Sequence, residues 1–216
     1  SVTGEIESRT YFKPIHRGAM LETYHDGTEE VVGTVFIDDC QWDRSAEWEN
    51  VDSSYFDVVN GILGYNKGKF SIRPKGLTFE YGLVAYDFRV DGTSEHIRLP
   101  SKIYGFSYLP SYNCFYYNGG AVYLFSYALT VGNWYRIVEV SSPSSVQISI
   151  YDSTGVLVKT DTIRNTAYIG STIGSFGPTY AGRGSFRNFV YICVESSSTN
   201  GIAACIPPIG GGARYG

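Results

Sequence analysis

A succession of short runs rich in β-branched and aromatic residues constrains the fold of this chain more than any other feature. In chain order the runs are VVGTVFI, KFSIR, LTFEYGLVAYDFRV, EHIRLP, YGFSYL, AVYLFSYAL, WYRIVEV, VQISIYD, VLVKTDTI and FRNFVYICV. No stretch of apolar residues with a helical period is as long as three turns, and only residues 53–59 suggest a helical turn. The sequence therefore predicts an all-β protein.

Turn residues separate these runs at close intervals. The turns are Asp91-Gly92, Asn118-Gly119-Gly120, Gly132-Asn133 and Ser153-Thr154-Gly155. Tight hairpins need residues that tolerate a positive φ, and these residues do. Strict alternation in the run from residue 146 predicts that Val146, Ile148 and Ile150 share the core face of a half-buried strand.

Composition excludes several classes of protein. The chain is 43% hydrophobic and 18% charged, which is enough apolar surface for one core and argues against a disordered protein. Its 17 basic and 21 acidic residues give a net charge of −4 without any basic cluster, so nucleic acid is not an expected partner. No apolar run is long enough for a membrane-spanning helix.

Four cysteines indicate an oxidising location. Cys40, Cys114, Cys193 and Cys205 show no CxxC spacing, which disfavours zinc and predicts disulfides whose three alternative pairings stay open. Disulfides are typical of oxidising compartments or of hyperthermophiles, and a single Met is a mild thermophile signal. Low charge with abundant Tyr, Ser, Val and Gly favours an extracellular, cell-surface or virion protein.

The ends of the chain differ from its middle. Residues 1–29 are polar and predict an N-terminal arm or extra edge strand, residues 30–196 predict the β-sandwich, and residues 197–216 predict a loop-like tail. The chain begins with Ser1, so we expect that any secretion signal has been removed or lies outside this sequence.

Several stretches, in their order along the chain, carry a likeness to a known fold. The opening segment is FIDDCQWDRSAEWENVDSSYFDVVNGILGYNKG, where the matching residues are Phe36, Asp38, Asp39, Trp48, Phe56, Asn60, Gly61 and Leu63. The later segments are GNWYRIVEV, VQISIYDSTGVLVKT and SFRNFVYICV. Together they resemble the concanavalin A-like, laminin-G-like superfamily. The resemblance implies an antiparallel two-sheet jelly-roll sandwich in which the closing strand pairs beside the opening one. The polar ends of the chain add extended N- and C-terminal arms to this prediction.

The superfamily includes sugar-binding, adhesive and spacer domains and some glycoside hydrolases, so the fold alone does not select an activity. A glycoside hydrolase needs two facing carboxyl groups, which its members in this superfamily usually carry at alternating positions of one strand. The nearest candidates, Glu47, Glu49 and Asp52, lie in a loop-like segment, and no Gly-x-Ser-x-Gly motif is present. We therefore predict that the chain is not an enzyme.

Residues 104–129 form a conspicuous aromatic band. Alternation predicts that Tyr104, Phe106 and Tyr108 share one strand face, and that Tyr123, Phe125 and Tyr127 share another. Core packing, contact with a partner protein and stacking on a glycan are the three interpretations of the band. The candidate binding residues are Tyr104, Tyr108, Tyr112, Tyr116 and Tyr117, of which the last three are expected to be the most exposed.

No cofactor is predicted except a calcium ion. Asp38 and Asp39 on the first strand and Asn188 on the last meet if those strands pair, and calcium prefers such oxygen ligands. Capping or hairpin hydrogen bonds are the alternative role for these residues.

Trp134 is predicted to lie in the core.

Two functions from different classes follow. The first is a non-enzymatic structural or adhesion protein that contacts copies of itself, or other surface or virion proteins, through aromatic faces and terminal arms. Residues 10–15 are the candidate strand for pairing with a neighbour's sheet edge. The alternative is a glycan-binding module of lectin type.

Overall fold

A computed structural model of the protein describes residues 17–23, 26–27, 29–40, 45–50, 58–59, 61–63, 71–78, 80–93, 96–178 and 183–194. Within these ranges the chain forms antiparallel β-strands and short 3-10 turns, without an α-helix. The strands make a nine-stranded sheet, a five-stranded sheet and a two-stranded ribbon. The predicted all-β jelly-roll sandwich is confirmed, whereas the helical turn predicted at 53–59 falls almost entirely outside the described residues.

In chain order the strands are β1 (Arg17–Thr23), β2 (Glu29–Asp38), β3 (Trp48–Asn50), β4 (Val58–Val59), β5 (Ile62–Leu63), β6 (Ile72–Pro74), β7 (Tyr81–Val90), β8 (Ile97–Arg98), β9 (Ser107–Leu109), β10 (Cys114–Tyr117), β11 (Val122–Ser126), β12 (Trp134–Ser141), β13 (Val146–Tyr151), β14 (Leu157–Ile163), β15 (Gly177–Pro178) and β16 (Gly184–Val194). The 3-10 turns are Ser45–Glu47, Pro110–Tyr112, Asn118–Gly120 and Thr166–Tyr168.

The nine-stranded sheet contains both the opening strand and the closing strand of the sandwich. Its order is β1-β2-β16-β7-β12-β13-β14, with β5 paired to β16 and β4 paired to β5. The opening strand β2 lies beside the closing strand β16, with Asp38 opposite Phe189. This is the pairing that the family resemblance implied.

Hairpin turns occur at positions that were predicted from the sequence. Gly132 and Gly155 take positive φ values of 85° and 86°, which glycine tolerates without steric cost. Asp152 Oδ1 accepts hydrogen bonds from the backbone N–H groups of Thr154 and Val156 at 2.9 and 3.1 Å. Asp152 is therefore a turn-forming residue, and the hydrogen bonds it accepts, first that of the Thr154 hydroxyl, lower its pKa.

The main core lies between the two large sheets. Val146, Ile148 and Ile150 are buried there, which confirms the alternation predicted for β13. Trp48 packs in the same core, with its ring centroid 5.0–5.6 Å from those of Phe36, Phe176 and Phe189. The Trp48 indole N–H donates to Asp38 Oδ2 at 2.7 Å, which ties the short strand β3 to the end of β2.

The opposite face of the nine-stranded sheet carries a second set of buried residues. Its apolar members are Leu83, Ala85, Val138, Val190, Ile192 and Val194. Beside them Asp87, which is fully buried, pairs with the equally buried Arg136 across β7 and β12. Asn188 Nδ2 donates to Asp87 Oδ2 at 2.7 Å, and Arg187 Nε lies 3.3 Å from the same oxygen.

Trp134 belongs to this second face, so its predicted place in the core is wrong. The Arg187 guanidinium carbon lies 4.0 Å from the centroid of the Trp134 ring, and that of Arg89 lies 4.9 Å away. Tyr135, Ile137 and Glu139 face the core instead. The sequence predicted that side chains alternate along β12. Which of the two alternating sets faces the main core depends on the face that the sheet buries.

The predicted disulfides are not observed in the described part of the chain. Cys40, Cys114 and Cys193 are free and buried thiols. Cys40 lies two residues after the end of β2, Cys193 lies on β16, and Cys114 lies on β10 in the other sheet. Burial raises the pKa of Cys193 to about 12 and the pKa of Cys40 well above its usual range, so these residues behave as small apolar side chains. Cys205 lies outside the described residues.

At the N-terminal side, β1 pairs with β2 and is the edge strand of the nine-stranded sheet. It lies within residues 1–29, where the sequence predicted an arm or an extra edge strand. Residues 10–15 and 197–216 lie outside the described ranges. The division into arm, sandwich and tail stays a prediction.

Replacing Gly33 with Ala is expected to destabilise the protein by about 2–3 kcal/mol, because a Cβ at this position meets the backbone of β16. That atom would lie 2.1 Å from the Cys193 carbonyl oxygen. Gly92→Ala is the matched control, since the nearest atom to its new Cβ lies 3.5 Å away on the Arg183 side chain. Urea denaturation measures both variants, and equal stabilities would contradict the close approach of β2 and β16.

Candidate functional site

The five-stranded sheet, in the order β11-β10-β9-β8-β15, displays the aromatic band. One face packs on the core through side chains that include Ile97, Tyr108, Phe115 and Phe125. The other face, here called the outer face, carries the residues that alternate with them. On this face the exposed Tyr123 of β11 lies opposite the half-buried Tyr116 of β10, and the exposed Tyr112 lies in the turn that precedes β10.

A β-bulge decides which tyrosines reach the outer face. Phe115 lies opposite Phe125, but Tyr116 lies opposite Tyr123, so Leu124 is an extra residue in β11. The bulge shifts the alternation by one position. Tyr123 therefore leaves the core face that Phe125 occupies, and its side chain is 55% exposed.

The outer face of β10 and β11, with the turn before them, forms a continuous row of hydroxyls, rings and a thiol. Its members, here called the tyrosine strip, are Tyr112, Cys114, Tyr116, Tyr123 and Ser126. Tyr112, at the end of the Pro110–Tyr112 turn, is 69% exposed, whereas Cys114 is largely covered. Two neighbouring strands and one turn thus present three phenol rings on one surface.

Contacts within the tyrosine strip hold its side chains in place. The Tyr116 and Tyr123 rings meet edge to face, with centroids 5.9 Å apart and planes at 78°. The Tyr123 hydroxyl lies 3.1 Å from Ser126 Oγ, which lies 3.2 Å from Cys114 Sγ. The Cys114 thiol donates to the Tyr112 carbonyl oxygen at 2.9 Å. These contacts connect Tyr116, Tyr123, Ser126 and Cys114, and Tyr112 joins them through its backbone carbonyl.

The tyrosine strip contains no ionised side chain. Burial, followed by the nearby Cys114 thiol, raises the pKa of Tyr116, so its hydroxyl stays protonated and able to donate a hydrogen bond. The cation Arg98 lies on the same face, but it is two strands away across Ser107. At the usual spacing between strands, the backbones at Arg98 and Tyr116 are about 10 Å apart. The strip thus offers a ligand apolar and hydroxyl surface, with Arg98 as an exposed cation on the same sheet face.

The five tyrosines predicted from sequence separate into three places. Tyr112 and Tyr116 lie together in the tyrosine strip. Tyr117 points to the other face of β10 and meets Tyr168 with ring centroids 5.2 Å apart, and Tyr104 lies near them through its backbone hydrogen bond to Tyr168. Tyr108 is buried, where its hydroxyl accepts the Leu129 N–H at 3.0 Å. The prediction that Tyr104, Phe106 and Tyr108 share one strand face is wrong, because Tyr104 precedes β9 and is 68% exposed.

Pairing of β2 with β16 brings the backbones that carry Asp38 and Asn188 together, but the two side chains bind partners on opposite faces of the nine-stranded sheet. Asp38 Oδ1 accepts the Cys40 N–H at 2.8 Å and its Oδ2 accepts the Trp48 indole N–H. Asn188 directs its amide nitrogen to Asp87. Among the described residues no three His, Cys, Asp or Glu side chains are grouped as for a metal ion. These contacts give Asp38 and Asn188 hydrogen-bonding roles, and calcium binding stays a prediction.

Two of the carboxylates considered as catalytic candidates form separate ion pairs. Glu49 pairs with Arg73 at 2.8 Å and Glu47 pairs with Arg17 at 3.3 Å. Asp52 lies outside the described residues. Glu139, which stands alone in its strand, is buried in the core, where the Ser101 hydroxyl and the Lys102 N–H donate to its carboxyl group.

Three solved structures share the architecture. A protein of unknown function from Shewanella oneidensis superposes with a TM-score of 0.53 at 11% identity, covering 78% of this chain and 90% of that one. Lectin I from Ulex europaeus gives 0.55 at 8% identity, covering 73% and 96%. The exoplasmic/lumenal domain of VIP36 gives 0.51 at 11% identity, covering 77% and 90%. This chain has a jelly-roll lectin-like fold. No family model and no curated protein sequence matches it.

The jelly-roll lectin-like fold agrees with the resemblance found in the sequence, at identities that establish architecture alone. The strip residues Tyr123 and Ser126 were not predicted, because no glycine or proline in β11 marks the bulge at Leu124. Within the described ranges, no helix is long and apolar enough to cross a membrane.

Proposed function

We propose that this chain is a non-enzymatic, extracellular or surface-located module that binds glycan through the tyrosine strip. The observation that carries this proposal is the packed pair of Tyr116 and Tyr123 rings on one sheet face, where Tyr123 is 55% exposed and its hydroxyl lies 3.1 Å from Ser126 Oγ. A phenol ring offers a flat apolar surface to a sugar ring, and its hydroxyl offers a hydrogen bond.

Two proteins of similar fold support the choice of ligand class. The Ulex europaeus lectin is in complex with the methyl glycoside of α-L-fucose, and the VIP36 domain is in a form bound to Ca²⁺ and Man2. Fold likeness alone does not transfer a function, so the argument depends on the chemistry of the strip. Assembly through terminal arms, the first function predicted from sequence, stays a prediction because residues 10–15 and 197–216 lie outside the described ranges.

Replacing Tyr112 or Tyr123 with Ala is expected to weaken glycan binding by about tenfold, which is the loss of one aromatic stacking contact. The full chain is screened on a glycan array, and calorimetry then measures each variant with the glycan that binds best. Tyr104→Ala is the matched control, since this tyrosine is 68% exposed but lies outside the strip. Binding to no glycan, or an equal loss in the control, would overturn the proposal.

A further inference from the structure

The second face of the nine-stranded sheet, which points away from the main core, carries a tryptophan among charged side chains. Two neighbouring rows of residues cross β12, β7 and β16 here. They are Trp134, Arg89 and Ser185 in the first row and Arg136, Asp87 and Arg187 in the second. Residues opposite one another in paired strands, and residues two apart on one strand, project from the same face. The two rows therefore form one surface.

A bulge in β16 directs Arg187 onto this surface. The register of β16 against β7 shifts between Arg187 and Val190, and Asn188 takes a left-handed φ of 52°, which Asn adopts more readily than most residues. Two consecutive side chains then reach the same carboxylate oxygen, Asp87 Oδ2. Arg187 Nε donates to it at 3.3 Å and Asn188 Nδ2 donates at 2.7 Å. Bulges that redirect a side chain in this way are common beside functional sites.

The outer part of the Arg187 guanidinium is available to a ligand. Its carbon lies 4.0 Å from the centroid of the Trp134 ring, so the ring and the Asp87 carboxylate together hold the group in place. Among the described residues, Asp87 and Trp134 are the partners of this side chain, which is 23% exposed. The N–H groups of Nη1 and Nη2 are therefore free to donate hydrogen bonds outward.

The charges on this surface leave one cation in excess. Arg89 pairs with Asp91, which follows β7, at 2.6 Å. Asp87 contacts both Arg136 and Arg187 and can balance only one of them. A single excess positive charge suits a monoanion, and a guanidinium edge matches a carboxylate through two parallel hydrogen bonds.

We propose that Arg187 and Trp134 form a binding site for the carboxylate of an acidic sugar residue. The guanidinium binds the carboxylate, and the half-buried Trp134 offers apolar surface to the sugar ring that bears it. An acidic sugar residue carries one isolated carboxylate, whereas acidic peptides and nucleic acids present several anions and need a cluster of cations. The site lies on the other sheet from the tyrosine strip, so this inference does not depend on glycan binding by the strip.

The test is an NMR titration of the full chain with D-glucuronate and with N-acetylneuraminate at constant ionic strength, with D-glucose as the uncharged control. We expect each acid to shift the indole N–H signal of Trp134 to saturation and glucose to leave it unchanged. Arg187→Gln should weaken binding at least about tenfold, because charge-assisted hydrogen bonds are lost. Arg187→Lys keeps the charge beside Asp87 but loses the paired donors, so it should also bind more weakly than the wild type. It provides the same test if Arg187→Gln does not fold.

Arg164→Gln is the matched control and should retain the wild-type affinity. Arg164 is an exposed arginine that follows β14, whose last residue pairs with Val146 at the other end of the sheet from Trp134. Tyr123→Ala should also bind both acids normally, which separates this site from the tyrosine strip. No shift with either acid, an equal shift with glucose, an equal loss in Arg164→Gln, or tighter binding of triglutamate than of both acids would overturn the inference.

Discussion

Replacing Asp87 with Asn is expected to lower the free energy of unfolding by about 3–5 kcal/mol, which is the usual cost of breaking a buried ion pair. Asp87 has no exposed surface, and the Arg136 beside it is only 2% exposed. Asn keeps the size of the side chain but removes the negative charge that balances Arg136. It also weakens the contacts of Asp87 with Arg187 and Asn188 on β16.

Chemical denaturation measures this effect, and Glu49→Gln is the control. Glu49 and Arg73 form an ion pair with a similar short distance, but both side chains are about two-fifths exposed, and exposed pairs contribute little. The double variant Asp87→Leu/Arg136→Met should recover most of the lost stability, because apolar residues replace buried ion pairs well. A single Asp87→Asn variant as stable as Glu49→Gln would contradict a charge-balancing role for Asp87.

The second large effect is a loss of stability as pH rises, and Glu139 causes it. Burial raises the pKa of this carboxyl from 4.5 to about 7, against the opposing hydrogen bonds of Ser101 and the Lys102 N–H. Other groups near it are the buried hydroxyls of Tyr86 and Tyr191 and the Lys102 ammonium, whose own pKa is lowered by burial.

The direction follows from proton binding. Between pH 4.5 and about 7 the unfolded chain releases the Glu139 proton whereas the folded chain keeps it, so rising pH favours unfolding. The stabilisation is complete below about pH 4.5 and is lost by about pH 7, a change of about 3 kcal/mol.

Urea denaturation from pH 4 to pH 8 measures the stability profile. Carboxylates with lowered pKa values, such as Glu49 and Asp152, act in the opposite direction, so the wild type is compared with Glu139→Gln. The difference between the two profiles should follow the Glu139 titration, whereas exposed Glu80→Gln should retain the wild-type slope. A Glu139→Gln profile parallel to the wild type would show that Glu139 does not titrate in this range.

The tyrosine strip was only partly predictable. Two of its five members, Tyr112 and Tyr116, were predicted as binding residues because they lie in a loop-like part of the sequence. Tyr123 was grouped with Phe125 because they are two residues apart, and the bulge at Leu124 then placed them on opposite faces. A bulge depends on how two distant strands pair, so it leaves no periodic signal in either strand.

Long-range contacts decided the roles of the charged residues and cysteines as well. Glu139 follows Ile137 in strict alternation, yet only the packing of the segment at Ser101 against β12 explains why a carboxyl is accepted in the core. The number of cysteines allows three alternative sets of disulfide pairs, whereas Cys40, Cys114 and Cys193 are free thiols in the folded chain.

By itself the sequence determined the class of fold, the positions of the turns and the alternation within single strands such as β13. These properties depend on the backbone conformation of a few neighbouring residues and on the two-residue period of a strand. Tertiary structure decided which face of each strand is buried, which residues from β10 and β11 meet in the tyrosine strip, and which ionisable groups lose water. Those properties depend on pairing between strands far apart in the chain, and a one-residue shift in that pairing reverses every side chain beyond it.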